Sequence, residues 1–214
     1  MSDGTKSDNV ELVQHPGQIP GYTYGTDQAA RSPLTRADLD QLKQAVGLTS
    51  DDEQALRMAA DVLAGQVDEM VTAWRAQIGE HPHLARYSAH PDGRPNPEYS
   101  AASKPRFDRW ILDACVRPLD QAWLDYQHEI GLRHTRDKKN TTDGADSLEH
   151  IPLRYLLAFT AVAFTAVVLT SSRRYLSRGA QDPVQVDRMH AAFTKSVLLH
   201  VTVWTRPYVD AQNW

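Results

Sequence analysis

From Leu119 to His134 the residues Leu119, Trp123, Tyr126, Ile130 and His134 recur at steps of 4, 3, 4 and 4. That spacing lines up one stripe of an α-helix and cannot lie on one face of a strand, where side chains alternate at a period of two. The same signature fills most of the chain. Leu56, Ala60, Leu63, Val67, Val71, Trp74 and Ile78 stay in phase across Gly65, which predicts two helices running nearly end to end. Leu39, Leu42 and Val46 mark a short first helix, and Phe107, Trp110, Ile111 and Ala114 place another over 105–116. Val186, Met189, Phe193, Val197, His200 and Trp204 line a last helix. It starts at Asp182-Pro183, a cap followed by proline in the first helical position, and stops before Pro207. No stretch alternates as a strand would, and no internal repeat is visible. The expected fold class is all-α, with about seven helices of unequal length in one domain of 214 residues.

Between these stripes the chain reads as caps and loops. Ser50-Asp51-Asp52-Glu53 has the form of a capping box. HPHLARYSAHPDGRPNP, with its prolines and Asp92-Gly93, predicts a loop holding a short helical piece. KKNTTDGADS predicts a polar loop, and 148–177 a long helix. Within it, YLLAFTAVAFTAVVLT at 155–170 carries no charge but falls short of the ~20 apolar residues of a membrane span. A buried central helix or a subunit interface suits it better. Residues 1–34 are rich in Pro, Gly, Ser and Asp, a flexible start followed by a segment packed through Tyr22 and Tyr24.

Composition narrows the function. The net charge of -4 is a poor match to a nucleic-acid binder, which needs a basic face. A single cysteine, Cys115, excludes an intrachain disulfide and a thiolate-rich metal site, and with no apolar signal core at the N-terminus it suits a cytoplasmic location. No glycine-rich phosphate loop follows a strand. His128-Glu129 with His134 suggests a zinc-protease motif, but six residues at about 100° each leave the two rings about 120° apart around the helix. His81-Pro82-His83 is better read as a turn.

His134 remains. A lone histidine on an apolar stripe is usually a satisfied core residue. Here Gly131 removes a side chain one turn earlier, where a flat ligand would approach, and the basic cluster Arg136, Lys138 and Lys139 suits a helix C-terminus. An aromatic-rich helical chain can hold a planar cofactor whose iron needs one protein ligand, a neutral histidine nitrogen. Arg75, beside Trp74 on an apolar face, is a second anomaly: it snorkels to water, carries an anion, or points at something polar in a pocket.

IPGYTYG, HPHL, the PDG-x-PN-x-x-Y run, RF-x-RWILD, DQAWLDYQ-x-EIGLRH-x-R-x-KKN-x-TD and RYL-x-AF resemble the protoglobins, single-domain globins related to the heme domains of globin-coupled sensors. The likeness runs from about Ile19 to WTRPYV near the C-terminus. It implies an enlarged globin fold, a 3-over-3 helical sandwich with an extra N-terminal helix and segment, over 19–214 behind a flexible 1–18 extension. It implies heme b, with His134 as the iron ligand and Trp74 and Phe107 on the distal side. By the same likeness Arg106 is a candidate partner for a heme propionate, and Ile78, Ile130, Ile151, Leu156 and Phe159 would line the cofactor. A homodimer through the last two long helices is implied as well.

Two positions depart from the family pattern. A tyrosine usually follows the distal tryptophan, and here stands Arg75, a charged donor that would favour peroxide, nitrite and other ligands carrying negative charge. Pro105 lies inside the expected distal helix, which should kink or restart there with Ser103 as a cap. The reading that results is a heme globin binding O₂, CO or NO. Its alternatives are a heme enzyme acting on peroxide, NO or, if engineered, carbene precursors, with Arg75 and Trp74 as the reactive-side residues, and a heme-free helical interaction module. A sensor or an enzyme would need a separate signalling or reductase partner.

Overall fold

The computed structural model describes residues 19–162, 171–179, 182–210 and 212–214, with the side chains of 159–162 and 171 left aside. Among the described residues there are α-helices and no strands. The helices are α1 (Arg36–Ala45), α2 (Ser50–Leu63), α3 (Val67–Gly79), α4 (Pro82–Ala85), α5 (Pro97–Val116), α6 (Gln121–Leu132), α7 (Leu153–Val162), α8 (Ser171–Gly179) and α9 (Pro183–Thr205). A 3₁₀ turn at Arg206–Tyr208 follows. The all-α reading is thus borne out, with more and shorter helices than the seven expected. The 1–18 segment and most of the apolar run at 163–170 lie outside the described residues. No helix among the described residues is long and apolar enough to cross a membrane.

Local chemistry sets the helix starts. The capping box before α2 sits one residue earlier than expected: Thr49 accepts from the Asp52 amide, and Asp52 accepts from the Thr49 amide. Ser50 is already helical. The same reciprocal pair, Thr35 and Asp38, starts α1. Asn96 caps α5 through the Tyr99 amide, so that helix begins at Pro97, eight residues before the 105 start expected from the sequence. Residues 148–152 are not helical. The Ile151 amide instead donates to the His134 carbonyl at 2.9 Å, which pulls this strip of chain across the end of α6.

Helix α9 organises the core. Its Phe193, Val197, Leu199 and Val203 are fully buried, and it packs against α2, α5, α6 and α8. Helix α5 packs on α2 and α3, and α3 reaches α7. The result is one wall built from α3 and α5 and a facing wall built from the ends of α6 and α9. The segment 19–34 straps across the ends of α5 and α6. The Tyr22 hydroxyl donates to buried Asp113, which Arg109 and Arg117 also hold, and Arg133 donates to the Gly21 carbonyl and Thr23 Oγ1. Gly21 has φ +73, and a Cβ there would meet Thr142 and Arg106, so a glycine is required at this crossing.

His200 shows what a structural histidine looks like in this core. Both ring nitrogens are used: Nδ1 on the Ser196 carbonyl at 2.9 Å and Nε2 accepting from Trp123 Nε1 at 3.2 Å. Burial pushes its pKa from 6.5 down to about 4. A depressed histidine pKa stabilises the fold fully above 6.5, where both states are neutral, and loses that stabilisation as pH falls to about 4. His200→Phe should therefore be less stable at pH 7 by about 1–3 kcal/mol, because Trp123 loses its acceptor. It should also lose less stability than the parent between pH 6.5 and 4, by up to about 3 kcal/mol. Urea unfolding across that range checks both, and an unchanged pH slope would contradict the assignment.

Candidate functional site

The proximal wall begins at the end of α6. His134 stands two residues past Leu132, and its Nδ1 lies 2.7 Å from the Ile130 carbonyl. A carbonyl can only accept, so the proton sits on Nδ1 and the Nε2 lone pair is left available. Among the described residues no group bonds Nε2, and it is not one of their sealed, partnerless atoms. Desolvation, with Lys139 and Arg133 adding, brings its pKa down to about 4 against the pull of the Ile130 carbonyl. His134 thus stays neutral near pH 7. It keeps accessible surface even so.

The ring is held from behind. The His134 carbonyl accepts from the Ile151 amide and from the Tyr208 hydroxyl at 3.2 Å, and that hydroxyl lies 2.7 Å from the Ile151 carbonyl. Trp204 stacks on the imidazole at 6.0 Å between centroids and 22° between planes, while its Nε1 donates to Gln127. Gly131 serves this packing. A Cβ there would meet the Trp204 carbonyl at 2.9 Å and Pro207 at 3.0 Å. The missing side chain therefore admits the end of α9, and the expectation that it clears a path for a ligand is corrected.

The opposite wall carries Trp74 from α3 and Phe107 from α5, edge to face at 4.7 Å. Ile78 follows Trp74 by one turn and packs half-buried on the core. Trp110 joins the walls: its ring lies 6.4 Å from Trp74 and 5.5 Å from Trp204. Ile130 and Ile151 flank His134, and Leu156 is buried on α7, whereas the Phe159 side chain lies outside the described residues. A surface cavity of about 720 Å³, lined by Arg86, Tyr87, Arg136, Asn140, Ser147 and His150 among others, is a separate feature that none of His134, Trp74 or Phe107 lines.

Two expectations, about Arg106 and about Pro105, change. Arg106 is committed elsewhere: Nη1 donates to the Pro20 carbonyl at 2.7 Å and Nη2 to Asp143 at 2.5 Å. It ties the N-terminal strap to α5 rather than offering a free fork to a propionate. Pro105 does not restart the helix, since α5 is continuous from Pro97 to Val116. Ser103 is not a cap; its hydroxyl lies 2.8 Å from the Tyr99 carbonyl and back-bonds to it within the helix. Continuity matters because Tyr99, Ser103, Phe107 and Trp110, at steps of 4, 4 and 3, then share one face of α5.

Tyr99 and Ser103 as members of that face, the stacking of Trp204 on His134, and the burial of Lys139 were missed in the sequence. The i, i+4 spacing of Tyr99, Ser103 and Phe107 was the available signal, hidden by reading Pro105 as a break. Lys139 had none. It is buried in a loop that reads as polar, bonded to the Tyr87 carbonyl, Ser147 Oγ and the Tyr99 hydroxyl, and burial lowers its pKa to about 8.

These residues suit a heme. The described residues contain no cluster of three His, Cys, Asp or Glu that could hold a metal by itself, so a metal on His134 would need a carrier with its own donors. A porphyrin brings four nitrogens and flat apolar faces, which match one neutral imidazole and walls of Trp, Phe, Ile and Leu. Comparison with curated proteins found no match. The protoglobin family model matches residues 35–214, leaving the strap before it uncovered. With that match over most of its length, the chain belongs to the protoglobin family of heme-binding globins.

Proposed function

We propose that the chain is a single heme b domain, 19–214, that reversibly binds O₂, CO or NO at an iron carried by His134. The observation that carries this reading is the Nε2 of His134, kept neutral by burial and left without a partner among the described residues. When bound, heme supplies an iron with one coordination position left for a diatomic gas. The chain's own residues do the rest. Ile130 fixes the imidazole tautomer, Tyr208 and Ile151 fix the backbone behind it, and Trp204 fixes the ring plane. Trp74 and Phe107 give the opposite wall two aromatic faces. Electrons for any enzymatic cycle would come from a separate reductase, and a sensory output from a separate partner.

Two experiments test this reading. Purified chain loaded with heme should show a Soret band that shifts when the reduced protein meets CO, and His134→Ala should lose or alter it. No band after heme addition would sink the globin function and favour the heme-free interaction module. For assembly, Leu157 on α7 is 45% exposed, as is Leu198 on α9, and Val184 is 64% exposed. These apolar residues support a homodimer through the last long helices. Leu198→Asp should shift the sedimentation of a dimer toward the monomer, and a monomeric parent chain would contradict it.

A further inference from the structure

The distal wall holds a cation without a counter-ion. Arg75, partly buried on α3, donates to the Ser100 carbonyl at 2.9 Å and to Ser103 Oγ at 3.4 Å, and its guanidinium stands 5.8 Å from the Phe107 ring centroid. All three partners are uncharged. Asp108 acts on it from a distance, but that carboxylate is held by the Lys104 ammonium at 2.9 and 3.1 Å. Burial lowers the Arg75 pKa, as expected of a guanidinium with no paired carboxylate. Beside it, Trp74 Nε1 is a buried N–H donor with no acceptor. Ser103 and Phe107 share the face of α5 that looks toward the site. Among the described residues the wall therefore carries a positive charge with no carboxylate paired to it and a buried N–H with no acceptor.

Such an arrangement is costly unless something else completes it. The guanidinium has five N–H donors, and two are used. The longer bond, to Ser103, gives way at little cost. We propose that Arg75 makes the pocket selective for small anions such as azide, nitrite or hydroperoxide over neutral ligands, with Ser100 and Ser103 as its resting place between ligands. This rests on the heme reading above and specifies the ligand class of that site. A tyrosine at the same place would offer one neutral donor; the arginine adds a full charge in a desolvated setting, where it acts far more strongly than in water.

Azide is the probe, titrated into the ferric, heme-loaded full chain by its Soret shift. CO binding to the ferrous form is the neutral control. Arg75→Met and Arg75→Tyr should weaken azide at least about tenfold, in line with losing a charge-assisted hydrogen bond, and should change CO affinity much less. Arg75→Lys, which keeps the charge without the fork, should fall between, and it carries the test if the other two load heme poorly. Equal azide affinity in the parent, Arg75→Met and Arg75→Lys, with normal CO spectra, would overturn the anion selectivity and leave the heme reading standing. A chain that shows no Soret band would overturn both.

Discussion

The bond from His134 Nδ1 to the Ile130 carbonyl is the contact on which the rest depends. It turns an ordinary imidazole into an oriented, neutral donor. It also requires that the ring sit just beyond the last turn of α6, where the helix's own carbonyl is within reach. Everything around it serves that placement. Gly131 lets the end of α9 close in, Trp204 stacks on the ring, and the Tyr208 hydroxyl and the Ile151 amide pin the backbone carbonyl. Each of these partners comes from a different part of the chain, so the site forms only when α6, α9 and the 147–152 strip are all docked.

Two histidines have their pKa lowered to about 4 by desolvation and differ in their hydrogen bonds. His200 has a partner on each nitrogen, and His134 has one nitrogen left over. Burial alone would have given both the same role. On the proposed reading, the unmatched nitrogen is what separates a packing residue from a ligand. The same logic marks the wall of Trp74 and Phe107, where among the described residues Arg75 has only uncharged partners and the Trp74 N–H has none. Elsewhere the charges close on themselves, as in the Arg109–Asp113–Arg117 group with Tyr22 and the Arg133–Glu129–Lys138 group under the N-terminal strap.

Much of this was legible in the sequence, because helical periodicity survives in any chain whose helices each bury one face. The stripe ending at Trp204 appears in the fold as read, as do the short helix after His81 and the Asp182-Pro183 start of α9, while the stripe toward His134 is helical only over Gln121–Leu132 and leaves His134 just past its end. What was not legible depends on long-range contacts. Pro105 suggested a break, yet Ser103 back-bonding, the Asn96 cap and the Arg75 contact to Ser100 hold α5 together around it. Arg106 looked free because its partners, Pro20 and Asp143, are distant in the chain. Lys139 looked like a surface charge because no local pattern announces a buried ammonium held by uncharged oxygens.

The measurement that bears most directly on the central claim is the resonance Raman spectrum of the reduced, heme-loaded chain. Ligation by His134 predicts an iron–imidazole stretch that disappears in His134→Gly and returns when free imidazole is added. A stretch that persists in the variant without imidazole would place the ligand elsewhere. It would contradict the account at its first step.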